Sequence, residues 1–151
     1  MFSSKWEYTD IYAEYCHFKN AADERCRDYY GNEKTDGRMS KTILVAEDEG
    51  LLRRLIERVL VKNGYNVVLA QDGEEALKLL EKHSVDIALL DVNMPHKSGL
   101  VVLTVIQTQY RNIKTILTSG DVDSVYEFDV RKRPSYYLAK PFRMEQLLNL
   151  L

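Results

Sequence analysis

The stretch VDIALLDVNMPHKSG, residues 85–99, decides the fold. From Val85 to Leu90 it is apolar except for Asp86, and it ends on an acid, Asp91, followed by Asn93, Pro95 and Gly99. A short apolar run closed by turn residues reads as a strand covered on both faces, as in a parallel sheet. Working outward, strands are expected over TILVA (42–46), YNVVLA (65–70), VDIALL (85–90), IKTILT (113–118) and YYLA (136–139).

Between these runs the period changes. Leu51, Leu52, Leu55, Ile56, Val59 and Leu60 recur at helical spacing until Asn63-Gly64 closes the helix. Asp72 with Glu75 three residues later resembles a capping box, and Ala76, Leu77, Leu79 and Leu80 form the apolar face behind it. LVVLTVIQTQY (100–110) is rich in β-branched residues, which favour a strand, but its length and its place between two strands predict a helix. A short helix over SVYEFDV (124–130) and a last one over FRMEQLLNLL (142–151) complete the alternation. The expected fold is α/β: a doubly wound, five-stranded parallel (βα)5 sheet of flavodoxin-like type with right-handed crossovers.

The chain has 151 residues, 45% of them hydrophobic, and a net charge of -2. Its apolar runs fall far short of the roughly 18 residues of a membrane span, and MFSSKWEYTD lacks the hydrophobic region of a secretory signal. The expectation is a cytoplasmic protein. The charge balance argues against a nucleic-acid-binding surface or a polybasic membrane anchor. Cys16 and Cys26 make no disulfide framework, and with His17 they match no zinc spacing.

Residues 1–38 differ from the rest. They contain six Lys or Arg against eight Asp or Glu, no Leu or Val, and Ile11 as their only β-branched aliphatic. Such a segment supplies little core, so it reads as a partly helical or disordered extension, with GNEKTDG (31–37) as a linker. Met39, immediately before the first strand, is a candidate natural start. The folded domain is expected over 41–151.

Ligands on parallel sheets bind at the C-terminal ends of the strands. Strand one is followed there by Glu47, Asp48 and Glu49, strand three by Asp91 and Asn93, strand four by Thr118, Ser119 and Gly120, and strand five by Lys140-Pro141. Each group alone has a plainer reading: an acid cluster at a helix N-terminus, a strand-ending turn, a loop. Together they predict a pocket of carboxylates, a hydroxyl and a lysine. Crowded carboxylates repel one another, so a divalent cation is the natural means of keeping them ionised, and oxygen-only ligands point to Mg2+. Beside such a cation an aspartate can act as a nucleophile toward phosphorus.

ILVAEDE, LLDVNMPHKSG, ILTSG and YYLAKPF, in this order and at these distances, resemble the receiver domain of two-component response regulators over about residues 41–151. The resemblance implies that Asp91 is the phosphoacceptor and that Glu47 and Asp48 are the acidic pair of a Mg2+ site. It implies also that Asn93 lends its backbone carbonyl to the metal and that Lys140, before a cis proline, contacts the phosphoryl group. For the switch hydroxyl, gapless counting from Lys140 favours Thr118, whereas a strand ending in Ser-Gly favours Ser119, which is preferred. With Ser119, Asp121 and Asn93 resemble the pattern of receivers whose phosphoryl group is short-lived. Tyr137 matches the switch aromatic.

The implied function is a phosphorylation-dependent switch, not a conventional enzyme, loaded by a histidine kinase or phosphotransfer protein and acting on an unknown output protein. The face of the fourth helix, fifth strand and fifth helix is the expected contact. Two other classes fit less well. A phosphorylation-independent interaction module, or a fragment of a hybrid kinase or larger regulator, would keep the fold. A Mg2+-dependent phosphohydrolase would require a second Asp where Asn93 stands. His83 and His96 match no motif role and are expected on the surface.

Overall fold

The computed structural model describes residues 40–121 and 133–151. The extension expected over 1–38 and the helix expected over 124–130 lie outside the described residues. Within them the order is β1 (Thr42–Ala46), α1 (Gly50–Lys62), β2 (Asn66–Ala70), α2 (Gly73–Lys82), β3 (Ile87–Asp91), α3 (Gly99–Gln109), β4 (Lys114–Ser119), β5 (Tyr136–Ala139) and α4 (Met144–Leu148).

The strands form a five-stranded sheet in the order β2-β1-β3-β4-β5, and every neighbouring pair is parallel. This is the flavodoxin-like doubly wound order. The chain runs outward from β1 to β2, then crosses back over β1 to β3. Right-handed crossovers in opposite directions put their helices on opposite faces. Ile43, Val45, Ile87, Leu89, Ile116 and Leu138 accordingly pack with Ile56 and Leu60 of α1 and Leu147 of α4. Leu44, Ala46, Ala88, Leu90 and Leu117 pack with Ala76 and Leu80 of α2 and with Val102, Leu103 and Ile106 of α3. No helix among the described residues is long and apolar enough to cross a membrane.

Strand β3 begins two residues later than its apolar run and extends through Asp91, with every residue buried. Asp86 explains the late start. Its carboxylate accepts the Thr42 amide at 2.8 Å, while its backbone N–H donates to Thr42 and its carbonyl accepts from Lys114. The polar break in the run therefore ties together the entry ends of three strands.

Helix α3 forms against its β-branched composition because position and burial outweigh propensity. Val102, Leu103 and Ile106 are buried. The Thr104 and Thr108 hydroxyls donate back to the carbonyls of Leu100 and Thr104, each at 3.0 Å, which satisfies these side chains without leaving the helix. Gly99, at its start, is required by contact: a Cβ there would lie 2.2 Å from the Asp91 carbonyl oxygen.

Helix α1 ends as expected. Gly64 takes φ 82° and the Asn63 side chain donates to the Val59 carbonyl at 2.8 Å. Its apolar face is narrower than expected, because Leu51 and Leu55 are 79% and 49% exposed. They lie to one side of the stripe through Ile56 and Leu60 that meets the sheet. At α2, Asp72 accepts the Glu75 amide at 2.8 Å, but the Glu75 carboxylate reaches the amide of Gln71, one residue before the position a capping box would use. Helix α4 is five residues long. Leu150 and Leu151, expected to continue it, pack against the α1-side core and donate instead to the Leu147 and Leu148 carbonyls, a tighter turn than the α-helix.

Candidate functional site

The alternation of side chains along each strand selects what the pocket receives. On the α1 side, Ile43 and Val45 lead to Glu47, Ile87 and Leu89 to Asp91, Ile116 to Thr118, and Leu138 to Lys140. Four strand ends thus deliver chemistry to one face, at the point where β1 and β3 separate their crossovers.

Lys140 joins two of these groups. Its Nζ lies 2.8 Å from Glu47 Oε2 and 3.0 Å from Asp91 Oδ2. Both carboxylate residues are buried, at 3% and 4% exposure. The other oxygen of each accepts a backbone amide, Glu49 N–H to Glu47 Oε1 and Asn93 N–H to Asp91 Oδ1, both at 3.2 Å. The Lys140-Pro141 peptide is cis.

Glu47, Asp48 and Asp91 each place a carboxylate oxygen within 4.8 Å of the others'. Three carboxylates face one ammonium, so the site carries excess negative charge. All the donors are oxygens, which suits a hard divalent cation held by few carboxylates and several waters. Glu49 is exposed and caps α1 without a side-chain hydrogen bond.

Burial pushes the Glu47 carboxyl above the usual carboxylate range; the Lys140 hydrogen bond offsets part of the rise, and the Asp91 charge adds to it. Burial pulls Lys140 down, but its hydrogen bonds to Glu47 and Asp91, and their charges, more than reverse this and hold its pKa above the ordinary lysine value.

These directions give a pH test on metal-free protein. An acid whose folded-state pKa is raised destabilises the fold above that pKa, and the penalty disappears as pH falls toward its unfolded value, here 4.5. Between about pH 7 and pH 5 the wild type is expected to gain more stability, or lose less, than Glu47→Gln. Urea midpoints across that range decide it, and a wild type losing more than the variant would contradict the assignment.

The two candidate hydroxyls separate by register. Thr118 pairs directly with Asp91, and its Oγ1 lies 3.4 Å from the Leu90 carbonyl. Ser119 follows Leu117 onto the α2–α3 side, where its hydroxyl accepts the Asp121 amide at 3.1 Å and donates to the Asp121 carbonyl at 3.0 Å. Tyr137 packs against the core on that second face, and its buried hydroxyl has no hydrogen-bond partner among the described residues. His83 and His96 are exposed, and His96 takes φ 64° in the loop after β3.

One residue at this site was not read from the sequence. The Arg53 guanidinium, from α1, donates to the backbone carbonyls of Glu47 and Asp48. Its signal was a cation in the early turns of the helix that follows the acidic triplet, where the dipole disfavours positive charge.

The sequence model of the response regulator receiver domain matches residues 43–151. Response regulator MprA from Mycobacterium sp. (strain KMS) is 38% identical over 111 residues, covering 73% of this chain and 48% of that protein. Transcriptional regulatory protein CpxR from Escherichia coli (strain K12) is 35% identical over 108 residues, covering 70% of this chain and 45% of that protein. The crystal structure of response regulator protein TrrA from Thermotoga maritima, in complex with Mg2+–BeF, is similar at a TM-score of 0.64 and 34% identity. It covers 74% of this chain and 99% of that one. The chain spans about half the length of the curated relatives it matches. The fold, the acids and lysine at its strand ends, and a family match from residue 43 to residue 151 agree: the chain belongs to the response regulator receiver domain family.

Proposed function

We propose that this receiver is a cytoplasmic phosphorylation switch: Asp91 takes a phosphoryl group from a phosphohistidine of a histidine kinase or phosphotransfer protein, and the change alters affinity for an output protein. The observation that carries this reading is the Asp91 carboxylate. It stands at the end of the central strand, paired with Lys140 at 3.0 Å and clustered with Glu47 and Asp48. The output partner in this reading is a protein rather than nucleic acid.

In the transfer, an Asp91 oxygen attacks phosphorus while the P–N bond to the donor imidazole breaks. The electron pair leaves with the ring nitrogen, which takes up a proton, and an acyl phosphate remains on Asp91. Glu47, Asp48, Asp91 and the Asn93 carbonyl would hold Mg2+, which when bound neutralises charge on the phosphoryl oxygens. Lys140 keeps its ammonium beside Asp91 and bonds the incoming oxygens. Asn93 N–H holds Asp91 Oδ1, which fixes the plane of the nucleophile. The protein is its own substrate, and hydrolysis of the acyl phosphate is likewise self-catalysed. Acetyl phosphate with Mg2+ should yield a hydroxylamine-labile, acid-stable adduct that does not form when EDTA is present from the start; no adduct with Mg2+ would refute the reading.

For the switch hydroxyl the reading departs from the sequence preference. Thr118 shares the face and register of Asp91, whereas the Ser119 hydroxyl is engaged with Asp121 across the sheet. Thr118 is therefore the group drawn toward the phosphoryl oxygens, and the inference about phosphoryl lifetime built on Ser119 and Asp121 falls away. The unpartnered Tyr137 hydroxyl fits a ring that changes position between the two states. Thr118→Ala should leave Asp91 phosphorylatable while greatly reducing the phosphorylation-induced NMR shift of the Tyr137 ring. Ser119→Ala should retain that shift, and the opposite pattern would return the role to Ser119.

A further inference from the structure

The loop from β1 to α1 carries two of the three clustered acids, yet the backbone supports it sparsely. Neither the Glu47 nor the Asp48 carbonyl accepts a backbone N–H among the described residues. Both accept instead from a single atom, Arg53 Nη1, at 2.5 Å and 3.3 Å. Arg53 lies in the second turn of α1, near the positive end of the helix dipole, and α1 has no acid in its first turn to offset it. The helix dipole therefore gives no reason for a cation at this position, whereas the loop carbonyls do.

The loop in turn orients the carboxylate. Glu49 N–H donates to Glu47 Oε1, so the backbone conformation from Glu47 to Glu49 sets where that side chain points. Asp48 lies between the two carbonyl contacts. We propose that Arg53 is a positioning residue for the metal site: its guanidinium, spanning the Glu47 and Asp48 carbonyls, holds the loop in the conformation that presents both carboxylates to a divalent cation. The proposal rests on the reading of Glu47 and Asp48 as Mg2+ ligands.

Charge and position make opposite predictions. A guanidinium beside a cation site repels the metal, so by charge alone its removal tightens Mg2+ binding. If Arg53 positions the loop, its removal weakens binding, because groups that orient metal ligands are typically worth about 10–100-fold in affinity. Lysine keeps the charge, but its ammonium ends a shorter stem than Arg53 Nη1 and reaches the two carbonyls less well.

The experiment uses the full chain and its Arg53→Ala and Arg53→Lys variants. Mg2+ affinity is measured by calorimetry, and amide exchange at Asp48 and Glu49 by NMR without metal. Expected are about 10-fold weaker Mg2+ binding in Arg53→Ala, a smaller loss in Arg53→Lys, and faster Glu49 exchange in both. Unchanged or tighter binding, or unchanged Glu49 exchange, would overturn the proposal. Should Arg53→Ala fail to fold, Arg53→Lys decides by the same two readouts. If the wild type binds no Mg2+, the metal reading itself fails, and metal-free Glu49 exchange alone decides whether Arg53 orders the loop.

Discussion

Asp91→Asn is expected to abolish phosphorylation by acetyl phosphate and Mg2+, a complete loss of the adduct by intact mass where the wild type gains a single phosphoryl group. The substitution is nearly isosteric and removes the nucleophile, because an amide oxygen cannot form a stable acyl phosphate. Folding should survive. Asn93 N–H can still donate to the side-chain oxygen, and one of the crowded negative charges is gone. Circular dichroism of the variant separates loss of chemistry from loss of structure. A labile adduct persisting in a folded Asp91→Asn protein would move the acceptor elsewhere, with Asp48 the first alternative because it is exposed in the same cluster.

Lys140→Met should have the largest effect on stability. Its ammonium is the hydrogen-bonding cation between Glu47 and Asp91, and it is largely covered, with its side chain 21% exposed. Methionine preserves the stem but leaves two buried carboxylates facing each other without it. Removing one partner of a buried ion pair costs about 3–5 kcal/mol, and partial exposure places this case near about 3 kcal/mol at neutral pH. Proton uptake by Glu47, whose carboxyl burial already pushes above the usual carboxylate range, limits the loss.

The sign at high pH follows from the raised pKa of Lys140. Its contribution is full below the unfolded value of 10.5 and is lost as pH rises through the higher folded value. Wild type and variant should therefore converge in strongly alkaline solution. Urea unfolding of metal-free protein measures the difference. A loss below about 1 kcal/mol at neutral pH would show that the two carboxylates do not depend on Lys140. Added Mg2+ should recover part of the loss, since it supplies the missing positive charge.

Much of this was legible one element at a time. The buried run ending on Asp91, the Asn63-Gly64 stop and the Asp72 cap are written in a few adjacent residues, and the structure contains each. The β-branched segment at 100–110 was legible only from its position between strands, because its propensity pointed elsewhere. Leu51 and Leu55 share the helical spacing of the apolar residues yet stay exposed, because such spacing identifies a face without fixing how much of it meets the sheet.

What the sequence by itself determined is the order of strands and helices and the residue types at each strand end, since the periods of strand and helix and the turn residues are local properties. Only the tertiary structure decided which of those residues meet. Parallel pairing sets β1 beside β3, and a register between strands more than twenty residues apart places Thr118, rather than Ser119, directly opposite Asp91. The same folding brought Lys140 onto Glu47 and Asp91, and the return of Arg53 over its own loop bound the two carbonyls. Side-chain alternation can be read along one strand, but the distance between two strands' side chains depends on how the chain pairs with itself.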